Sequence, residues 1–93
     1  IVYGVNHYNI ADQDTIIGAA SCTTNAIVPV LSAVDKEFGI DNGHVETIHS
    51  YTNDHNRIDN YHRKSCRGRA AALNMVITET GAASAVSQIL TNL

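Results

Sequence analysis

With 93 residues, 44% of them hydrophobic, the chain has room for at most one small domain and excludes a complete two-domain enzyme, since domains usually run to about 100–150 residues. A chain of this length buries only about 60–65% of the surface it exposes when unfolded, so it is not expected to fold without other segments or subunits. Six Lys and Arg against nine Asp and Glu give a formal charge of −3, which disfavours nucleic acid as a partner.

The sequence opens Ile1-Val2-Tyr3-Gly4-Val5, without an initiator Met or an apolar run of signal-peptide or membrane-spanning length. A soluble, cytoplasmic protein without membrane contact is the expectation, with Cys22 and Cys66 reduced. Ile1 to Val5 and Thr15 to Ile17 are β-branched apolar runs that predict two short strands, with a polar loop between them. From Ala26 the period changes: Ile27, Val30, Leu31, Val34 and Phe38 fall on one face of a helix, with Thr23, Thr24 and Asn25 as candidate caps and Gly39 as the stop. Pro29 is expected in the first turn, where it is tolerated.

Val45 to Ser50 predicts a strand ending near His49, after the turn-forming Asp41-Asn42-Gly43. Tyr51 to Arg69 has no sustained period and predicts a long ordered loop, of the kind that usually carries function. Ala70 to Thr78 returns to apolar and β-branched residues, and Gly81 to Leu93 predicts a second helix with Thr80 as its cap.

Cys22 lies between an apolar segment and the first turn of the predicted helix. A helix start favours an anion, and thiolates there can have pKa values lowered from about 8.5 to roughly 3.5–7.5. The same N–H groups suit a phosphate or an oxyanion. The alternative is a buried structural cysteine beside a threonine cap. His49, one predicted helix later, ends the next strand, where a strand–helix–strand excursion can return it to the thiol as its base. Arg57, Arg63, Lys64, Arg67 and Arg69 gather positive charge in the loop, fitting either an anionic substrate or a solvated basic surface. The Cys and His residues show none of the paired spacings of a zinc site, so no metal is expected.

Ser21-Cys22-Thr23-Thr24-Asn25 resembles the active-site signature of phosphorylating glyceraldehyde-3-phosphate dehydrogenases. Thr47-Ile48-His49-Ser50-Tyr51-Thr52-Asn53-Asp54 resembles the family's catalytic-histidine segment, and Arg67-Gly68-Arg69-Ala70-Ala71 and Thr80-Gly81-Ala82-Ala83 follow in the family's order. The resemblance implies an α/β protein with an α+β catalytic domain, present here as an internal fragment. Residues 1–21 would be the end of a Rossmann NAD-binding domain, and residues 22–93 the first part of the catalytic domain.

It further implies Cys22 as the nucleophile toward glyceraldehyde 3-phosphate and His49 as the base, with NAD taking the hydride and inorganic phosphate releasing 1,3-bisphosphoglycerate. NADP is not distinguished from NAD, because the residue that meets the ribose 2′-hydroxyl would lie outside the fragment. By residue match, Ser21 and Thr23 flank the nucleophile, Thr80, Gly81 and Arg67 serve the inorganic phosphate, and Thr52 holds the substrate's phosphate. The stretch from Tyr51 to Arg69 resembles the family's S-shaped loop at subunit contacts, which implies a homotetramer.

The chain departs from the family pattern at Ala26, where a second cysteine is common, at Gly18-Ala19-Ala20, and at Cys66, for which no catalytic part is expected. Rival readings are an erythrose-4-phosphate dehydrogenase, a cysteine hydrolase working without a nicotinamide, and a catalytically silent paralogue.

Overall fold

The computed structural model describes residues 1–64 and 66–93; Ser65, inside the predicted loop, lies outside the described residues. Two compact units emerge, one made of Ile1–Glu46 with Gly81–Leu93 and the other of Thr47–Thr80.

The first unit is built on helix α1, Cys22–Phe38, and helix α2, Ala82–Ile89, which pack against each other. Helix α1 starts earlier than its apolar period predicts, because the capping residue is Ser21 and not one of Thr23, Thr24 or Asn25. The Ser21 backbone is extended (φ −92°, ψ 163°), and its Oγ accepts the N–H of Thr24 at 3.1 Å. This earlier start places Pro29 well inside the helix instead of in its first turn. Lacking an N–H, Pro29 leaves the Asn25 carbonyl without its helical donor, a loss that the packing of α1 must offset.

Gly39 ends α1 as the sequence predicts, at φ 73° and ψ 151°, a region close to glycine-only. Its N–H bonds to the Asp35 carbonyl at 2.9 Å, and the Asp35 carboxylate takes the N–H of Ile40 at 3.0 Å and the Asn92 amide at 3.1 Å.

The core comprises Val2, Val28, Val86 and Leu90, with Val5, Ile27, Leu31 and Ile89 against it. The face of α1 that enters this core is therefore Thr24, Ile27, Val28 and Leu31, rotated from the predicted stripe, while Val30 and Phe38 stay 61% and 86% exposed. Residues on both predicted and observed faces are apolar, so periodicity alone did not choose between them. In α2, Ala82 and Val86 are buried as expected, but the capping position falls on Gly81, without a side-chain bond, and not on Thr80.

None of the predicted strands forms, and there is no β-strand among the described residues. Ile1 to Val5 instead makes a tight turn. Gly4 has φ +85°, the N–H groups of Val5 and Asn6 both reach the Val2 carbonyl, and the Asn6 side chain accepts the Val2 N–H at 2.7 Å. With its backbone satisfied locally, Val2 is buried as a plug. Ile16 and Ile48 project from irregular segments, 93% and 97% exposed. A β-branched run becomes a strand only beside a partner, and no described segment pairs with these. Residues 1–21 thus hold a 3₁₀ turn at His7–Asn9 and nothing that supports a Rossmann sheet edge.

The second unit is held by polar cross-links. The Ala71 N–H bonds to the Asn56 carbonyl at 2.8 Å and closes a loop across its base. Inside it, the Asn60 N–H bonds to the Gly68 carbonyl at 2.9 Å, the Asn56 amide donates to the carbonyls of Asn60 and Tyr61, and the Asp59 carboxylate accepts the Ala70 N–H. Gly68 lies so close to the Asn60 carbonyl that an added Cβ would sit 2.4 Å from its oxygen. The predicted ordered loop is thus present. No helix among the described residues is long and apolar enough to cross a membrane.

Val28, with 0% exposure, is the centre of the first unit's core, so Val28→Ala is expected to destabilise the full-length protein by about 2 kcal/mol, seen as a lower thermal midpoint. Gly68→Ala is expected to open the second unit's loop, measured as faster limited proteolysis between Asn56 and Ala71.

Candidate active site

The start of α1 is defined by three side chains. Ser21 Oγ, besides accepting the Thr24 N–H, lies 2.8 Å from the Thr24 hydroxyl, and Thr24 is only 2% exposed. The Asn25 amide nitrogen reaches back across the turn to the carbonyls of Ala19 at 2.7 Å and Ser21 at 2.9 Å. Between those carbonyls Ala20 is held at φ +59°, the left-handed region that residues with a Cβ seldom occupy.

Cys22 is the first residue of α1 and is exposed, which excludes the buried structural cysteine of the alternative reading. Thr23 follows, partly exposed, on the same turn. A helix of 17 residues directs its first N–H groups and the positive end of its dipole to this point, so an anion, whether thiolate, phosphate or oxyanion, is favoured beside it.

The second unit carries His49, Thr52, Arg67 and Thr80. His49 is exposed, and its Nδ1 lies 2.6 Å from the Ser50 carbonyl. A carbonyl only accepts, so Nδ1 is the donor in this contact. Thr52 is exposed and tied to His55: its N–H donates to His55 Nδ1 at 3.2 Å, and its carbonyl accepts the His55 N–H at 3.0 Å.

Arg67 is largely covered, with a side chain 15% exposed. Its Nε donates to the Thr78 hydroxyl at 3.1 Å and its Nη1 to the Asp54 carboxylate. His62 Nε2 is 3.6 Å from the same carboxylate, while His62 Nδ1 accepts the Lys64 N–H. The hydrogen bond from Arg67 holds the Asp54 carboxyl below the usual carboxylate range; its slight desolvation opposes this, and the charges of Arg67, His62 and Lys64 reinforce it.

Ser21, Cys22 and Thr23 thus share one helix start, and Gly81 caps the second helix of the same unit. His49, Thr52, Arg67 and Thr80 are distributed along the other unit. A surface cavity lined by His62, Lys64, Cys66 and Arg69 includes none of the expected site residues. No group of three or more His, Cys, Asp or Glu among the described residues is arranged to hold a metal ion. Sequence reasoning missed Asp54 as the partner of Arg67, a pairing with no local spacing signal. It also missed what Asn25 does; Asn25 was legible only as a candidate cap.

Residues 21–93 match the family model described as glyceraldehyde 3-phosphate dehydrogenase, C-terminal domain. The chain belongs to this family. It is 67% identical over 90 residues to a glyceraldehyde-3-phosphate dehydrogenase-like protein of Pseudomonas aeruginosa strain UCBPP-PA14, an alignment covering 97% of this chain and 20% of that protein. It is 47% identical over its whole length to a glyceraldehyde-3-phosphate dehydrogenase of Cereibacter sphaeroides, and 46% to one of Pseudomonas aeruginosa strain PAO1, covering 28% of each. The chain therefore spans roughly a fifth to somewhat over a quarter of the curated relatives it matches. The resemblance seen in the sequence motifs is borne out as family membership. An α/β domain is supported at that level, although the described residues contribute only its helices.

Asp54 has a lowered pKa in the folded state, so its ion pair stabilises above the unfolded carboxyl value, near 3.8, and the stabilisation is lost as pH falls through the folded value. Amide protection of Asn60 and Ala71 in the full-length protein is expected to fall on acidification in this range, and to do so less in Asp54→Asn. Added salt should flatten the wild-type profile, because the carboxylate is exposed.

Proposed function

We propose that the protein is a phosphorylating glyceraldehyde-3-phosphate dehydrogenase of central sugar metabolism. It would convert glyceraldehyde 3-phosphate and inorganic phosphate to 1,3-bisphosphoglycerate, with NAD as oxidant. One observation carries this reading beyond family membership: Cys22 stands exposed as the first residue of a capped, 17-residue helix, where a thiolate is favoured.

In this reading NAD supplies the hydride acceptor. The part assigned to this chain's own residues is to attack, to move a proton and to hold negative charge. In this reading His49 would accept the proton of the Cys22 thiol. The sulfur then adds to the aldehyde carbon, and the oxyanion that forms is stabilised by the N–H groups and dipole of α1. Oxidation leaves a thioester on Cys22. A phosphate oxygen attacks its carbonyl carbon, the carbon–sulfur bond breaks, and the thiolate is regenerated.

Thr23 flanks this centre, Thr52 would hold the substrate's phosphate, and Thr80, Gly81 and Arg67 would serve the attacking phosphate. Two donors of Arg67 are engaged by Asp54 and Thr78, so in this role it would act as a pre-set charge more than a mobile clamp. A homotetramer in the cytoplasm completes the proposal. Tyr51, Ile58 and Tyr61 support it, being 55%, 73% and 86% exposed on the loop assigned to subunit contacts.

In the full-length protein, NADH formation is expected only with glyceraldehyde 3-phosphate, NAD and phosphate together. Cys22→Ser should abolish it, and His49→Asn should lower kcat by roughly 10²–10⁴-fold. Faster turnover of erythrose 4-phosphate would overturn the substrate, and hydrolysis without nicotinamide would overturn the reaction class.

A further inference from the structure

We infer that Asn25 is a positioning residue for Cys22: its side-chain amide clamps the turn before α1 and so fixes the direction in which the thiol leaves the helix. The inference rests on the proposed reading of Cys22 as nucleophile and goes beyond it in assigning a separate residue to orient it.

Both partners of the amide are carbonyl oxygens, which only accept, so the amide nitrogen must face them and its two hydrogens serve one carbonyl each, Ala19 at 2.7 Å and Ser21 at 2.9 Å. Asn25 therefore spans the single residue between them, Ala20, which sits at φ +59°. A residue with a Cβ returns from that conformation to negative φ unless its surroundings hold it there. Such a return would swing the Ser21 carbonyl and break the geometry in which Ser21 Oγ meets the Thr24 N–H. Cys22 follows Ser21 directly, so its Cα–Cβ direction is set by the same turn.

Asn25 acts differently from Ser21 and Thr24. Those two bond to each other and to the helix, which defines where α1 begins. Asn25 alone of the three bonds to the chain that enters the helix. It is exposed, so the bonds to Ala19 and Ser21 do not merely satisfy a buried amide that would otherwise be unpaired. The next turn gives a further reason for this clamp. Pro29 leaves the Asn25 carbonyl without a helical donor, so the side chain adds anchorage where the backbone ladder is interrupted.

The test uses the full-length enzyme and has two readouts, steady-state turnover and iodoacetamide labelling resolved by peptide mapping. Cys66, also an exposed thiol but in the other unit, serves as an internal reference. In Asn25→Ala, kcat is expected to fall roughly 10- to 100-fold with little change in KM for the aldehyde, because a misdirected nucleophile loses rate more than ground-state binding. The ratio of Cys22 to Cys66 labelling should fall with it. General loosening of the fold would raise labelling of both thiols, so a selective loss at Cys22 separates positioning from stability.

Asn25→Asp keeps the shape but cannot donate to either carbonyl, and it should reproduce the loss if Asn25→Ala fails to fold. Adding Ala20→Gly to Asn25→Ala should recover several-fold of the lost kcat, since glycine holds the left-handed turn without the clamp. A kcat within about twofold of wild type and an unchanged labelling ratio in both Asn25 variants would overturn the inference. Turnover retained in Cys22→Ser would instead overturn the nucleophile reading, and the labelling ratio would still decide whether Asn25 directs the thiol.

Discussion

The bond from the Thr24 N–H to Ser21 Oγ decides where α1 starts, and most of what the first unit does depends on that start. Beginning one turn later, at the residues the apolar period favours, would leave Cys22 in a loop with no helix behind it. Beginning at Cys22 places the thiol against the positive end of 17 aligned peptide dipoles. The core partners in turn set the rotation of the helix about its axis. Thr24 and Val28, one turn apart, point into the core together, and Val28 can then meet Val2, Val86 and Leu90. The helix start and the placement of the candidate nucleophile are thus consequences of one hydrogen bond, and Thr24 links that bond to the core.

The two units are stabilised by different physics. In the first, a small apolar cluster draws α1, α2 and the Val2 turn together, and the polar Thr24 within it is satisfied by Ser21. Among the described residues no buried side-chain donor or acceptor lacks a partner. In the second, Ala70 is the one apolar side chain in the buried class among the described residues, and order comes from Asn, Asp and Arg side chains that bond across the loop. Such a network fixes geometry without a large desolvation cost, since most of its members remain partly in water. Leu73, Met75 and Ile77 project from the same unit, 86–98% exposed, a surface that an assembled protein would be expected to cover.

The sequence made some elements legible and hid others for identifiable reasons. Helix α1, its glycine stop, helix α2 and the long loop were all visible, because each rests on local spacing or composition. The rotation of α1 was not, since Val28 and Val30 are equally apolar and only the tertiary partner distinguishes them. The strands were misread at Ile1 to Val5 because Gly4 and the Asn6 side chain provide a turn that satisfies the same backbone groups. At Thr15 to Ile17, at Val45 to Ser50 and through Ala70 to Thr78 the β-prone residues are there, but a strand is a property of a pair of segments. The family motifs marked the candidate site residues along the chain, whereas the Arg67–Asp54 pair and the reach of Asn25 depend on three-dimensional return of the chain, which no spacing encodes.

A catalytic thiol has to satisfy two demands that pull against each other. It must stand exposed, so that substrate can reach it, and it must keep one direction, so that attack occurs along one line. Burial would give direction but remove access. The helix start resolves this by placing the constraint behind the thiol: Thr24 is buried and its hydroxyl bonded, the Asn25 amide grips the incoming chain, and Ala20 is held in a turn it would not choose. Cys22 itself can then remain in solvent. On this view the left-handed alanine is the conformational cost of carrying the proposed nucleophile on an exposed turn, and the hydrogen bonds around it offset that cost locally.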